Sequence, residues 1–378
     1  MVNGGGEMRE YYAASLSEFF DIIRKIAEKE VREESVQKKR IPQLWYRGLS
    51  GNYHTLLPTL YRNKLFDDTA LAYNQIKQKE DSRYQHFKAR TFHLIKTNPN
   101  LQSEWLEIYQ HHMGKTRLMD WTESAKTALC FAVEAFLDSR DGEDLNIKRA
   151  TNTPTVTVIN PSELNRKVYQ YFCQHEEMIE KAVRELFPNN ISECKKAVLE
   201  IQGNMAQYED VLFAPQNEDV EMKGIVSLCI LEDMRNMAGD QLKQRIVNME
   251  FNPFYYLILR YYTDALPVCI ERETDLILPP LAVLHPYHSE RIRKQRGTFS
   301  IFPNYVLGKT MKELKEKREV DVRTMERQRE VNALLSRIYI TNPRRVAEDL
   351  LYAGERRTEL YPGLDDYAWL LETSKYYV

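Results

Sequence analysis

Between Tyr109 and Ala132 the chain reads YQHHMGKTRLMDWTESAKTALCFA, and this stretch limits the possible folds more than any other. Trp105, Ile108, Tyr109 and His112 follow Ser103 at helical spacing, so a helix capped by Ser103 is expected to end at Gly114 as its left-handed residue. Ser124 reads as the N-cap of a second helix that buries Ala125, Ala128, Leu129, Ala132, Ala135 and Phe136 on one stripe. On this reading Lys115 to Glu123 is a polar loop clamped between two helices. It gathers His111, His112, Thr116, Arg117, Asp120, Trp121 and Thr122. A solvated connector has no need of that mixture of charge, hydroxyl and indole at a helix N-terminus, so the stretch is the most site-like part of the chain.

The remaining composition decides the class. With 378 residues, 43% hydrophobic and 29% charged, the chain can bury an ordinary soluble core. A net charge of −2 argues against non-specific binding of duplex nucleic acid as the main task. Cys130, Cys173, Cys194, Cys229 and Cys269 are odd in number, widely spaced and without C-x-x-C, which predicts reduced thiols. The start, MVNGGGEMREYY, lacks the basic-then-apolar pattern of a signal peptide, and no run of about 18 apolar residues occurs. A cytoplasmic chain with no membrane partner is the expectation.

Along the chain, Ser15 to Glu30 predicts an amphipathic helix with a Ser15–Glu18 capping box, inside an N-terminal region spanning 1–40. Gln43 to Gly48 predicts a strand, with Leu44 and Tyr46 on one face and Trp45 and Arg47 on the other. An arginine ending a buried strand usually has an anion to meet. Asp67 to Leu94 reads as a long charged helix, and Thr155 to Ile159 as a strand stopped by Asn160-Pro161. About 162–250 is helical in pattern and carries no site-like cluster, which suggests an inserted helical lobe. Phe254 to Tyr262 is a helix or strand, while Leu266–Ile270, Thr298–Phe302 and Ile338–Ile340 are strand candidates. Lys309 to Arg329 predicts an exposed helix. Asn342, Pro343 and Gly354 bracket another helix; a loop from Glu355 to Leu364 leads to a last helix from Asp365 to Tyr376. Strands scattered this widely imply one α+β domain over 1–378, with a sheet assembled from distant segments.

Five blocks occur in an order that resembles the FRG domain family, named for an aromatic-Arg-Gly signature. They are WYRG (45–48), LLPTLYR (56–62), QHHMGKTRLMDWTESAKTALCFA (110–132), RIRKQRGTFSIF (291–302) and LLYAGERRTELYPGLDDYAWLL (350–371). More weakly, the layout is similar to ADP-ribosyltransferases. Tyr46-Arg47-Gly48 stands for their first Y-R-G strand, and Asp120 to Ser124 ahead of Ala128 to Ala132 for their hydroxyl-rich strand and A-x-x-F-A helix. Gln295 to Pro303 falls where they carry Q/E-x-E, but Gly297 stands in place of the catalytic glutamate. The resemblance implies a mixed or antiparallel ADP-ribosyltransferase-like sheet, NAD or another nucleotide as ligand, and a bacterial defence or toxin-like role.

For each candidate residue two readings stand side by side. Arg47 can hold a pyrophosphate through two parallel hydrogen bonds, or sit in a buried ion pair with Asp120. Thr116, Arg117, Asp120 and Thr122 sit on the loop leading into the helix capped near Ser124, whose N-terminus would receive an anion, and Tyr46 on the strand beside Arg47 is a further ligand-binding candidate. Asp120 can orient Arg117, His111 or His112, or merely cap its loop. Trp121 can stack on a base or plug the core. His111 and His112 diverge by about 100° on a helix and cannot chelate one metal well; one of them can serve as acid or base, and no metal is expected. Gln295, amid Arg291, Arg293, Lys294 and Arg296, can complete a phosphate site or end a solvated helix. Gln295 or Glu359 would assist departure of nicotinamide, with Glu359 the substitute acid if one is needed, and Asp365 reads as a helix cap. Three functions follow: an NAD-consuming effector, a non-catalytic sensor of a nucleotide or phosphate ligand, and, less in keeping with the charge, an RNA- or DNA-processing protein.

Overall fold

Strands drawn from both ends and the middle of the chain meet in one eight-stranded sheet. The computed structural model describes residues 7–30, 42–51, 55–62, 73–95, 99, 102–137, 153–213, 224–248, 250–263, 268–270, 278–284, 287, 289–303, 305–307, 324–363, 367–368 and 371. In chain order the first part holds β1 (Arg9–Ala13), α1 (Leu16–Glu30), β2 (Trp45–Leu49), α2 (Tyr73–Thr91), α3 (Gln102–His111), β3 (Leu118–Thr122), α4 (Ala125–Ala132), α5 (Glu134–Leu137) and β4 (Thr155–Ile159). Helices then dominate: α6 (Pro161–Gln174), α7 (Glu176–Arg184), α8 (Ile191–Phe213), β5 (Val226–Ser227), α9 (Leu228–Asn236), α10 (Gly239–Val247) and α11 (Pro253–Ile258). The last part holds β6 (Val268–Ile270), β7 (Leu281–Leu284), α12 (Glu290–Gln295), β8 (Gly297–Ile301), β9 (Tyr305–Leu307), α13 (Arg329–Asn332), β10 (Ser336–Ile340), α14 (Pro343–Tyr352) and α15 (Arg357–Leu360).

The sheet order is β1-β10-β4-β2-β3-β8-β7-β5, antiparallel except for the parallel pairs β1/β10 and β5/β7 at its two edges; β6 and β9 form a separate parallel pair. This is a mixed α+β fold. Period-two alternation divides the core. Trp45 and Ile159 face one buried cluster, which the helices α6 to α11 complete. Leu44, Tyr46, Val156 and Val158 face the other, covered by Phe19, Ile22 and Ile26 of α1 and by Val346, Ala347 and Leu350 of α14. Helix α1 starts where Ser15 Oγ accepts from Glu18 N at 3.3 Å and Glu18 Oε2 accepts from Ala14 N at 2.7 Å. Among the described residues no helix is long and apolar enough to cross a membrane.

Several expectations need correction. Lys115 to Glu123 is not a loop throughout: Leu118–Thr122 is strand β3, because β8 offers its backbone a complete ladder from Leu118↔Ile301 to Thr122↔Gly297. Helix α3 begins at Gln102, so Ser103 lies inside it, and Met113 rather than Gly114 takes the left-handed turn, at φ 68°. Gly114 is instead pressed on Tyr109, whose carbonyl oxygen would lie 2.5 Å from an added Cβ. Strands β1, β5, β7 and β9 are not among the strands the sequence predicts. Of the Lys309–Arg329 helix, residues 309–323 lie outside the described residues, and Thr324–Gln328 is a turn with Thr324 and Met325 buried. The loop from Glu355 contains the helical turn α15; the helix expected from Asp365 falls largely outside the described residues.

Candidate functional site

Strands β2 and β3 pair at a single position, Tyr46 opposite Thr122, and then part. On its other side β2 stays fully paired with β4, and β3 with β8. Arg47 bridges the opening, donating from a terminal guanidinium nitrogen to the Asp120 carbonyl oxygen, with the Asp120 carboxylate 4.0 Å away. A cavity of about 460 Å³ occupies the gap.

The close approach that shapes one wall depends on Gly48. A Cβ there would lie 1.8 Å from the Ala128 carbonyl oxygen and 2.9 Å from Ala132 N, so only glycine lets α4 lie against β2. Ser124 caps α4 by accepting from Thr127 N at 3.2 Å. Cys130, on the same helix, is buried, and burial pushes its thiol up to about 12, which leaves it inert as a nucleophile.

The structure brings Tyr46, Arg47, His111, Asp120, Trp121, Thr122 and Gln295 to this one cavity. Arg47 has 18% of its side chain exposed, and its Nε is buried with no hydrogen-bond partner among the described residues. Burial pulls its pKa down, while the charges of Asp120 and Glu326 push it back up. Asp120, 60% exposed, accepts from Gln110 Nε2 at 2.7 Å. Thr122 donates to the Gln295 carbonyl oxygen at 2.6 Å and accepts from Ser124 N at 3.0 Å. Gln295 Nε2 donates to Leu360 O at 2.9 Å, tying the cavity rim to α15. Trp121 is 3% exposed, and its indole N–H goes to Ser300 Oγ at 3.0 Å, so it belongs to the core more than to the cavity.

Four candidates lie elsewhere. Arg117 forms a buried ion pair with Glu80, Nε to Oε2 at 3.2 Å, and its backbone N–H donates to Glu80 Oε1 at 3.1 Å. Thr116 is fully buried, donates to Gln110 Oε1 and accepts from Leu118 N at 3.2 Å. His112 is exposed, its ring between His111 (centroids 5.6 Å apart) and Phe87 (6.2 Å). Glu359 is exposed on α15 and absent from the cavity lining. Gly297 does line the cavity and brings no carboxylate to it.

The cavity also holds residues that sequence reading missed. Arg62 enters because its segment is pinned by Leu60 N to Thr116 O at 3.2 Å and by Tyr61 Oη to Pro303 O at 2.8 Å. Burial, then the neighbouring Arg47 charge, pulls the Arg62 pKa down. Arg291, from the basic run expected around Gln295, also lines the cavity and lies 4.5 Å from the centre of the Tyr361 ring. Glu107 and Gln110 join the expected His111 on the cavity from α3, and their spacing of four and one residues before it on the helix was the available signal. Glu107 is 1% exposed, and burial with the charges of Glu104 and Asp120 pushes its carboxyl up to about 9. His111 is held down to about 4 by burial, Arg291 and His112. Near neutral pH both are therefore uncharged.

Among the described residues no group of three or more His, Cys, Asp or Glu side chains could hold a metal ion. No curated protein and no solved structure matches the chain. Residues 42–141, which supply Arg47, Arg62, α3, β3 and α4 to the cavity, match the FRG domain profile, and the chain carries an FRG domain over that span.

Proposed function

We propose that the cleft between β2 and β3 binds a nucleotide or other phosphate-bearing small molecule, with NAD as the first candidate. The observation that carries this reading is the pair of arginines, Arg47 and Arg62, on one cavity that Arg291 lines as a third cation, with Asp120 and Glu134 as the acidic residues beside Glu107. Among the described residues the buried Nε of Arg47 has no hydrogen-bond partner. The Arg47 charge bears on Arg62 against the offsetting charges of Asp120 and Glu326, so a further anion in the hollow would be attracted to both guanidinium groups. Phosphate oxygens suit that pair best. The basic run near Gln295 offers less to nucleic acid, since Arg293 pairs with Glu290 at 2.7 Å and Arg291 covers Tyr361.

Sensing is the simpler form of this function, because Gly297 provides no acid and Glu359 stands outside the cavity. Asp120 favours a second form, an ADP-ribosyltransferase-like or NAD-consuming effector. Its exposed carboxylate, held by Gln110, is positioned to stabilise positive charge developing on a ribose as nicotinamide leaves. Incubation with labelled NAD distinguishes the forms. Free nicotinamide or labelled protein means consumption, and saturable binding without turnover means sensing. Absence of binding by NAD and by other nucleotides, or binding unchanged in Arg47→Ala, refutes the proposal.

A further inference from the structure

Arg47, Arg62 and Arg291 reach the cavity from three separate segments, and they are not equally engaged. Arg47 gives a terminal nitrogen to the Asp120 carbonyl oxygen and has that residue's carboxylate 4.0 Å away. Arg62 donates from Nε to Leu57 O at 2.5 Å and from a terminal nitrogen to Thr55 O at 3.3 Å. Arg291, on α12, makes no ion pair or hydrogen bond from its guanidinium among the described residues; what it touches is the Tyr361 ring, 4.5 Å away.

Stacking on a ring uses the flat face of a guanidinium and leaves its in-plane N–H groups to bond elsewhere. Of the three nitrogens of Arg291, Nε is buried and out of reach. The two terminal nitrogens are not enclosed in that way, and they form the fork that fits phosphate oxygens. The fork is also held in place before any ligand arrives. Tyr361 is braced from behind by Phe131, edge to ring with centroids 6.1 Å apart. Ser289 Oγ accepts from Ile292 N at 3.1 Å at the start of α12, and Gln295 at its end donates to Leu360 O at 2.9 Å. A long side chain fixed in advance loses less freedom on binding.

Resting on the nucleotide reading above, we propose that Arg291 takes a second phosphate group of the ligand. The ligand is then a nucleoside diphosphate, or a dinucleotide joined through its pyrophosphate, and not a monophosphate. Arg47 and Arg62 hold one phosphate at the β2–β3 opening, and Arg291 holds the other from α12.

Titration calorimetry in magnesium-free buffer with AMP and ADP, which differ by that one phosphate, tests this. Wild type is expected to bind ADP about tenfold or more tighter than AMP, the scale of a hydrogen bond to a charged group. Arg291→Gln should bring ADP down to the affinity of AMP and leave AMP unchanged, whereas Arg47→Ala should weaken both. Should Arg291→Gln not fold, Arg291→Met, which keeps the apolar stem, carries the same test. Equal affinity of wild type for the two probes, a preference that survives the Arg291 change, or a loss of AMP binding along with ADP overturns this inference and leaves the phosphate site standing. Binding of neither probe removes the inference too, and absence of NAD binding as well removes the nucleotide reading itself.

Discussion

Gln110 donates to Asp120 Oδ1 at 2.7 Å while its own amide oxygen accepts from the hydroxyl of Thr116. An amide can be turned end for end, and a donor placed on its oxygen is what decides which end faces the carboxylate. Thr116 is therefore a positioning residue, acting on the cavity through Gln110 without touching a ligand. Thr116→Val should cost about 1–2 kcal/mol in chemical denaturation, because Leu118 N also loses its acceptor. It should also weaken nucleotide binding several-fold, and Thr116→Ser should restore both. A Thr116→Val protein with full affinity would mean that Asp120 holds its place unaided.

Glu107 gives a pH signature. In the unfolded chain its proton is lost above the ordinary carboxyl value of 4.5, whereas the native chain keeps it up to about 9. Across that window the native state binds more protons than the unfolded state, so this group lowers stability as pH rises. Glu107→Gln has no such proton. Relative to it, wild type should lose up to about 1.4 kcal/mol per pH unit between pH 6 and pH 8. His111 acts at the other end: held down to about 4, it takes stability away as pH falls below 6.5. Urea midpoints at several pH values measure both, and parallel curves for wild type and Glu107→Gln would show that Glu107 is ionised in the fold.

Much of the fold was legible because its signals are local. The Ser15–Glu18 box, the Ser124 and Asn342 caps and the alternation through Leu44-Trp45-Tyr46 each need only neighbouring residues. Strand β3 was hidden for the opposite reason. Its middle residue, Asp120, has a side chain 60% exposed because β2 departs there, so the apolar alternation that marks a strand is broken by the cavity itself. The same cause hid Arg62 and Glu107, whose place at the site depends on packing between segments far apart in the chain. Thr116 and Arg117 misled in the other direction: polar residues next to a site-like run, they turned out to hold the scaffold behind it.

Gly48 should tolerate no side chain. A Cβ 1.8 Å from the Ala128 carbonyl oxygen cannot be relieved by turning a side chain, because the obstacle is backbone. Gly48→Ala must push α4 off β2, at a cost at or beyond the upper end of about 1–3 kcal/mol for overpacking. Since α4 and α5 bring Phe131 and Glu134 to the cavity, any protein that still folds should also bind nucleotide poorly. A thermal melt within a few degrees of wild type would contradict the close packing.

Arg117 and Glu80 make the last prediction, which separates scaffold from site. Their ion pair is almost wholly buried, at 7% and 2% side-chain exposure, and Glu80 also accepts from Arg117 N. Removing one partner strands the other charge in a medium that solvates it badly, and such losses run to about 3–5 kcal/mol. Glu80→Gln and Arg117→Leu should therefore each lower stability strongly. Arg47→Leu, whose guanidinium opens on the cavity, should cost much less. Affinity should order the three the other way: near wild type for the Glu80 and Arg117 variants under conditions where they remain folded, and largely lost for Arg47→Leu. Calorimetry and denaturation on the same preparations read both scales. If Arg117→Leu kept its stability but lost the ligand, Arg117 would belong to the binding site after all, and the division drawn here between the β2–β3 opening and the packing behind it would be wrong.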